Sequence, residues 1–349
     1  MQTHSYERIV RMQGASVEKL EAPLPKELVQ ELSEFWQTIP ELQTNERWRR
    51  ELLGLDPSHN RTLVYLLRRG GTIAAMCQIW ISRRLPELGE FTYPATRPAF
   101  RGEGIGTALW SAAIADVKAA GGRVIFLGTN ERAAFRLYRR LGFSKLPASI
   151  TFVKELNGQA AEEFLVDWFR EAGPARVSLG DAEDQIPSYP LIVSPHDWQV
   201  LDANAGLFSL RYSLHRTFHG LFRAYERVVG DGRGARFAAR TIDGRVVGMS
   251  TGRLHADGSC SLDGFVHHNY HESWHELITP AIEFGRSRGA ELLRARVSRE
   301  DFEKRKLFKE LGFGEVGPAP EFVLDSLQLN NERNVEPLTV PAIRMERRV

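Results

Sequence analysis

The residues from Thr96 to Thr107 are the first candidates for chemistry, because they read T-R-P-A-F-R-G-E-G-I-G-T. They follow an alternating apolar run, which predicts a strand, and precede a run with helical spacing. A strand that turns through glycines into a helix leaves several backbone N–H groups unpaired at the positive end of the helix dipole. Gly104 and Gly106 carry no Cβ, so they permit positive φ and a close approach to the backbone. The stretch therefore predicts an anion site, for which a diphosphate is the natural ligand.

Several kinds of glycine-rich turn bind phosphates, and their spacing separates them. A dinucleotide-binding turn reads G-x-G-x-x-G, but the third glycine position, three residues after Gly106, holds Leu109. A Walker loop reads G-x-x-x-x-G-K-[ST], and no lysine follows Gly106. The spacing Arg101-x-x-Gly104-x-Gly106 instead follows the pattern [R/Q]-x-x-G-x-[G/A].

A second run downstream strengthens this interpretation. Residues 130–143 read N-E-R-A-A-F-R-L-Y-R-R-L-G-F, which follows N-x-x-A-x-x-L-Y-x-x-x-G-F with one residue of slack. Together the two runs resemble the motifs of the GNAT N-acetyltransferase superfamily, whose loop holds the pyrophosphate of acetyl-CoA. The resemblance covers about residues 15–155 well and later residues weakly.

The resemblance implies acetyl-CoA as the cosubstrate and a set of residues that bind it. A backbone N–H within 95–97 would polarise the thioester carbonyl. Asn130 would bond the pantetheine arm or an ordered water, or else cap a helix. Arg101 would meet a phosphate through its backbone N–H or its guanidinium, or else stay solvated. The full implied binding set is Ala95, Thr96, Arg97, Arg101, Gly102, Glu103, Gly104, Ile105, Gly106, Thr107, Asn130, Ala133, Phe135 and Tyr138.

Glu90 and Tyr138 are the catalytic candidates. Acyl transfer to an amine needs a neutral amine and a proton for the leaving thiolate; freeing a lysine-like amine at neutral pH costs about 4–5 kcal/mol. Glu90 stands at the register of the base glutamate of histone-acetylating family members, and burial beside Phe91 and Tyr93 would raise its pKa. A solvated strand-end carboxylate, with water or another group as the base, is the alternative. Tyr138 matches the motif tyrosine that protonates the thiolate, and a half-buried helix aromatic is its alternative.

Elements predicted from periodicity place these residues at strand ends and helix starts. Pro94 removes a ladder N–H, so a regular central strand is disfavoured there. The resemblance implies that this strand carries a bulge and splays from its neighbour, and an edge strand is the alternative. The predicted strands are 16–21, 61–67, 72–82, 90–96, 124–127 and 145–156, and the predicted helices are 26–39, 45–55, 105–120 and 131–141.

The chain repeats itself at a distance that indicates a duplicated domain. Leu141-Gly-Phe143 recurs as Leu311-Gly-Phe313, an offset of 170 (311 minus 141). At this offset Gly104 aligns with Trp274, Gly106 with Glu276 and Tyr138 with Phe308. We expect the indole to obstruct the second loop and the carboxylate to repel a diphosphate.

The sequence and the resemblance therefore imply the fold class α/β (α+β). Two tandem GNAT (acyl-CoA N-acyltransferase) domains are expected, each a mixed, mostly antiparallel central sheet flanked by helices with a splayed strand pair. The expected divisions are a catalytic, acetyl-CoA-binding domain over 1–155, a linking helix over 156–174, a degenerate domain over 175–328 and a C-terminal tail over 329–349.

One further motif points to different chemistry. His271-Glu272-Ser273-Trp274-His275 matches H-E-x-x-H, the zinc metalloprotease signature, and His267 and His268 lie nearby. The motif falls where the duplicated loop meets its helix, so a degenerate loop is the favoured interpretation. We expect no metal, and a zinc-dependent hydrolase stays a remote alternative.

Composition limits the number of domains, the binding partners and the cellular location that we expect. The 349 residues fit two domains, and a net charge of +2 gives no argument for nucleic acid or membrane partners. Two cysteines and an N-terminus without an apolar core favour a cytoplasmic protein over a secreted one. We expect an N-acetyltransferase acting on a small-molecule amine, as a monomer with a pseudo-dimeric domain pair or as a homodimer. A protein N-acetyltransferase, or a non-catalytic acyl-CoA-binding sensor or scaffold, is the alternative.

Overall fold

A computed structural model describes residues 10–12, 15–39, 46–55, 59–129, 131–147, 149–170, 173–213, 218–324 and 337–349. The candidate caps Asn45 and Asn130 lie outside the described residues. Contacts divide the chain into two compact units: unit 1 is Met1–Leu127, Arg136–Phe143 and Val153–Gly158, and unit 2 is Gly128–Phe135, Ser144–Phe152 and Gln159–Val349. None of the helices in these parts of the chain is long and apolar enough to cross a membrane.

The first sheet has eight strands, in the order β1-β2-β3-β4-β5-β6-β8-β7. Its strands are β1 Val10–Met12, β2 Ala15–Glu21, β3 Asn60–Arg69, β4 Thr72–Ser82, β5 Leu88–Thr96, β6 Val124–Gly128, β7 Ser144–Lys145 and β8 Thr151–Glu155. The accompanying helices are α1 Lys26–Gln37, α2 Glu46–Leu52, α3 Ile105–Ala119 and α4 Arg132–Arg140. The predicted order of elements is confirmed, with β1 and β7 added.

Apolar spacing explains how α1 attaches to this sheet. The helix begins after Pro25, whose fixed φ suits a helix start, and buries Val29, Leu32, Phe35 and Trp36 along one stripe. These side chains join a cluster with buried residues of β3 and β4. Burying each such side chain contributes roughly 1.5–3 kcal/mol, so the stripe fixes this face of the sheet.

The second sheet has seven strands, in the order β16-β17-β15-β14-β13-β12-β9. Its strands are β9 Ala175–Leu179, β12 Gly234–Thr241, β13 Val246–Leu254, β14 Ser259–Val266, β15 Leu292–Ser298, β16 Gly314–Leu324 and β17 Leu338–Arg348, with a separate pair β10 Val200–Asp202 and β11 Leu207–Phe208. The helices are α5 Ala161–Arg170, α6 Tyr189–Val193, α7 Phe218–Val229, α8 Trp274–Ser287 and α9 Phe302–Glu310.

The two sheets share one topology, which confirms the two-domain fold class. Strands β2 to β6, β8 and β7 follow the same spatial order as β9, β12 to β15, β17 and β16. The expected C-terminal tail is wrong for Leu338–Arg348, because this strand pairs with β15 on one side and β16 on the other. Backbone pairing on both edges makes the segment an interior strand of the sheet.

In both sheets the two central parallel strands separate after a short stretch of pairing. Strands β5 and β6 pair in parallel only from Leu88↔Val124 to Glu90↔Phe126. Strands β14 and β15 likewise pair only from Ser259↔Leu292 to Ser261↔Arg294. Beyond these points β5 and β14 continue without that partner, so each sheet has a splayed strand pair.

Candidate functional site

The splayed half of β5 contains a bulge at Tyr93 and Pro94. Met76 pairs with Ala95 but Gln78 pairs with Thr92, so β5 holds one residue more than β4 over this interval. Tyr93 takes φ 49°, a left-handed conformation that is rare outside glycine. The extra residue and the missing N–H of Pro94 bend the strand, as the family resemblance implied.

Strand alternation identifies which backbone groups face the opening. The Arg97 N–H donates to Ala74 O at 2.9 Å, so Arg97 bonds toward β4. Neighbouring residues of a strand bond to opposite sides, so the N–H and C=O of Thr96 point away from β4, toward the opening. Within the predicted range 95–97, the Thr96 N–H is therefore the one that faces the opening. Its C=O already accepts Arg101 Nε at 3.2 Å.

The turn after β5 ends in a helix start without a side-chain cap. Gly104 is the N-cap of α3 with φ 77°, and this N-cap makes no side-chain cap hydrogen bond. The bond from Ala108 N to Gly104 O is the first of the helix, so the N–H groups of residues 105–107 precede it. Gly102 has φ 84°, and an added Cβ at Gly102 or Gly104 would meet no atom within 4 Å. These glycines are required by their backbone angles, and the space above them is open to a ligand.

Gly106 has a role that the sequence did not reveal. Its φ is helical, and an added Cβ would lie 2.5 Å from Thr96 Oγ1 and 3.1 Å from Trp110 Cζ2. The glycine therefore allows the start of α3 to pack directly against the end of β5. It sets the position of the helix end, whereas we expected it to admit phosphates.

Residues of the loop with charged side chains already form ion pairs or hydrogen bonds with other residues of the protein. Glu103 forms an ion pair with Arg69, whose guanidinium also lies 5.8 Å from the centroid of the Phe100 ring. The Arg101 N–H donates to Pro98 O at 3.2 Å, so this predicted phosphate donor is already used. Arg97 Nε donates to Ile73 O at 3.1 Å.

Glu90 and Tyr138 lie on opposite faces of the first sheet. Tyr138 is buried, and its ring contacts the Phe91 ring at a centroid distance of 6.4 Å. Successive strand side chains alternate between faces, so Glu90 points to the face opposite Phe91 and Tyr138. The Glu90 side chain is only 4% exposed. Both residues can therefore reach one reacting group only where the sheet is open, beyond the last β5–β6 pair.

The remaining predicted residues lie in 128–135, which belongs to unit 2. The Phe135 ring contacts Phe152 at a centroid distance of 5.1 Å, and Lys145 Nζ lies 5.9 Å from its centroid. Ala133 is in the first turn of α4, and Asn130 is outside the described residues.

The corresponding turn of unit 2 has a different structure. Residues His268–Ser273 form a 3-10 helix, and the Trp274 N–H at the start of α8 donates to His271 O. Counted from the first helical residue, Ser273 corresponds to Gly104. The expectation that the Trp274 indole obstructs the loop is wrong, because the ring is buried and its Nε1 donates to Gly264 O at 3.2 Å.

A chain segment fills the opening of the second sheet instead. Asp263, on the splayed half of β14, accepts the Ala203 N–H at 2.7 Å. Across the opening, Asp301 accepts the Gln199 N–H at 2.9 Å. Lys304 Nζ donates to Val200 O at 2.7 Å, to Leu201 O at 3.0 Å and to Asp263 Oδ1 at 2.8 Å. The segment 199–203, which contains β10, is thus held from both sides.

The histidine motif does not form a helical pair of ligands. His271 lies in the 3-10 helix and His275 in α8, so the i, i+4 geometry of one α-helix is absent. His267 stacks on Phe169 at 3.8 Å, and burial lowers its pKa to about 3. Across the described ranges, no group of three or more His, Cys, Asp or Glu residues is placed to hold a metal ion.

Comparisons with known proteins agree with the geometry of unit 1. Residues 25–143 match the model of the acetyltransferase (GNAT) family. No curated protein sequence matches the chain.

Three solved structures are similar in part. They are a GNAT-family acetyltransferase from Staphylococcus aureus Mu50 (17% identity, TM-score 0.33, 40% of this chain and 99% of that one), the ribosomal-protein-S18-alanine N-acetyltransferase of Escherichia coli (16%, 0.32, 41% and 97%), and the spermidine/spermine N-acetyltransferase SpeG of Vibrio cholerae (14%, 0.34, 50% and 92%). Because these TM-scores are below 0.5, the three structures carry no argument about the function of this chain. Any functional argument relies on the family match and on the geometry of the site.

Proposed function

We propose, from the match of residues 25–143 to the model of the acetyltransferase (GNAT) family, that the protein transfers the acetyl group of acetyl-CoA to the primary amine of a small molecule. The observation that carries the proposal is the opening beside β5, which leads to a helix end without a side-chain cap. An extended thioester ligand fits this arrangement, because an unpaired strand edge suits the pantetheine arm and free N–H groups suit the diphosphate.

The proposed reaction uses groups on both sides of the opening. The Thr96 N–H bonds the pantetheine arm or the thioester carbonyl. The amine attacks the carbonyl carbon, a C–N bond forms and the C–S bond breaks. Glu90 takes the proton that the amine gives up, directly or through water, and Tyr138 donates a proton to the departing thiolate. Each proton transfer typically contributes roughly 10²–10⁴ in rate.

We assign this chemistry to the first domain and propose that the second is degenerate. In unit 2 a 3-10 helix takes the place of the glycine turn, and residues 199–203 occupy the opening. Phe308, at the position of Tyr138, has no proton to donate.

The decisive experiment follows CoA thiol release from acetyl-CoA over a panel of small amines, a protein N-terminal peptide and a lysine peptide. Release with a small amine supports the proposal, and release only with the peptides would shift it to protein acetylation. Saturable acetyl-CoA binding without any release would indicate a sensor.

A matched pair of variants tests the site itself. Gly104→Glu places a carboxylate at the helix end and should abolish acetyl-CoA binding in calorimetry. Gly158→Glu is the control, because Gly158 also has positive φ (98°) and open space around it but lies outside the loop. Equal binding by the two variants would place the coenzyme elsewhere.

A further inference from the structure

Unit 2 contains a cavity of about 640 Å³ between α7 and the strands β13, β14 and β15. Its polar lining includes Arg227, Arg253, Arg296 and His255, and its apolar lining includes Leu262. No aspartate or glutamate is among the described residues that line it. The volume is in the range of small-molecule sites.

The cavity lies where unit 1 holds its candidate base. The last pair of the parallel register is Glu90↔Phe126 in the first sheet and Ser261↔Arg294 in the second. Ser261 therefore takes the place of Glu90, and Ser261 lines the cavity. Unit 2 thus has a ligand-sized space at the position of the candidate base, with a hydroxyl where the carboxylate would be.

The arginines of this cavity carry more positive charge than the nearby carboxylates neutralise. Arg253 is neutralised by Asp231, with two bonds of 2.7 Å. Arg296 is half-buried, its guanidinium lies 4.1 Å from the centroid of the Phe322 ring, and burial lowers its pKa. Among the described residues, neither Arg296 nor the exposed Arg227 has a carboxylate at ion-pair distance.

Nearby buried acids do not remove this excess. Asp263 acts on Arg296 and raises its pKa, but this carboxylate is already paired with Lys304 at 2.8 Å. Asp202 accepts bonds from Thr251 Oγ1 and from the backbone of the 203–205 turn. Ser261 itself donates to Asn204 Oδ1 at 2.6 Å.

We propose that this cavity binds a small organic anion, a carboxylate or phosphate ester on a short apolar body. The planar guanidinium of Arg296, with that of Arg227, binds the oxyanion, because arginine matches both groups with paired donors. The apolar body contacts Leu262 and Val228, which also line the cavity. The site is separate from the acetyl-CoA site and does not depend on acetyl transfer.

Calorimetry with the intact protein tests this proposal, using benzoate and phenyl phosphate as probes and benzyl alcohol as the uncharged analogue. One probe anion should bind saturably, once per chain, and the alcohol should not. The probe that binds distinguishes a carboxylate site from a phosphate site. Absence of saturable binding by both anions at low-millimolar concentration overturns the proposal.

Arginine-to-methionine variants test whether the anion binds in this cavity. Arg296→Met keeps the stem of the side chain and should weaken the anion about tenfold or more, since it removes a charge-assisted contact. Arg288→Met is the control, because Arg288 also lies over a phenylalanine ring, that of Phe284 at 5.5 Å, but outside the cavity. Arg227→Met, at an exposed position, repeats the test if Arg296→Met does not fold. Equal affinity of the cavity variants and the control refutes the assignment.

Discussion

The packing of Gly106 gives the sharpest prediction about the glycine loop. In Gly106→Ala the new Cβ would start 2.5 Å from Thr96 Oγ1 and 3.1 Å from Trp110 Cζ2. Thr96 is β-branched and stiff at χ1, and the indole is rigid, so the helix start has to move. Overpacking of this kind costs typically about 1–3 kcal/mol.

Gly104→Ala is the comparison variant, because it lowers the stability of the protein for a different reason. Gly104 has φ 77° and open space, so alanine there suffers backbone strain of about 1–2 kcal/mol and no steric overlap. Thr96→Ala removes the oxygen nearest to the Gly106 position. It should therefore restore stability to Gly106→Ala but not to Gly104→Ala.

Urea unfolding of the three single and two double variants measures this as two double-mutant cycles. We expect a favourable coupling of about 1 kcal/mol or more between positions 106 and 96, and none between 104 and 96. Calorimetry with acetyl-CoA should show weaker binding in Gly106→Ala, because the N–H groups of α3 shift. Wild-type stability of Gly106→Ala, or equal rescue of both alanine variants, would refute the reasoning.

The remaining predictions concern proton transfer and pH. Glu90→Gln should lower kcat/KM by about 10²–10⁴ and remove the acid limb of its pH profile, and a profile of unchanged shape would exclude Glu90 as the base. Tyr138→Phe should reduce kcat with little change in acetyl-CoA affinity, since the contacts to Phe91 survive, and unchanged turnover would contradict the acid role. In unit 2, burial and then Asp263 raise the pKa of Asp202 from 3.8 to about 7. The native state therefore binds more protons than the unfolded state between these values, so its stability should fall as pH rises from about 4 to about 7. Asp202→Asn should flatten that slope in urea unfolding, and an unchanged slope would assign it to other groups.

Features with a local signal could be predicted from the sequence. The glycine turn, the boundaries of α3 and the bulge at Pro94 follow from residues that restrict or free their own backbone. The duplication was visible because a tripeptide, Leu-Gly-Phe, recurs at the end of corresponding helices. The catalytic candidates came from the motif resemblance, and the structure adds the faces on which they lie.

Features that depend on distant contacts could not be predicted. Leu338–Arg348 has strand-like alternation, but only its pairing with both β15 and β16 shows that it is interior. The role of Gly106 depends on Thr96 and Trp110, which are brought together by packing. Segment 199–203 contacts partners about 60 to 105 residues away in the sequence, so no local sequence pattern predicts that it fills the opening.

The bonds that hold this segment decide whether the second opening can accept a ligand. Five hydrogen bonds join residues 199–203 to charged side chains, and their donor–acceptor distances run from 2.7 to 3.3 Å. Bonds to charged groups contribute about 1.5–3 kcal/mol each, so release of the segment costs on the order of 8–15 kcal/mol. A coenzyme present at about 1,000 times its dissociation constant shifts the equilibrium by about 4 kcal/mol. Because a ligand shifts an equilibrium only by its preference for one state, binding of acetyl-CoA cannot open unit 2 to a useful extent. We therefore expect the opening beside β5 to accept the coenzyme and the opening beside β14 to stay closed, because residues 199–203 fill that opening and a 3-10 helix replaces the glycine turn there.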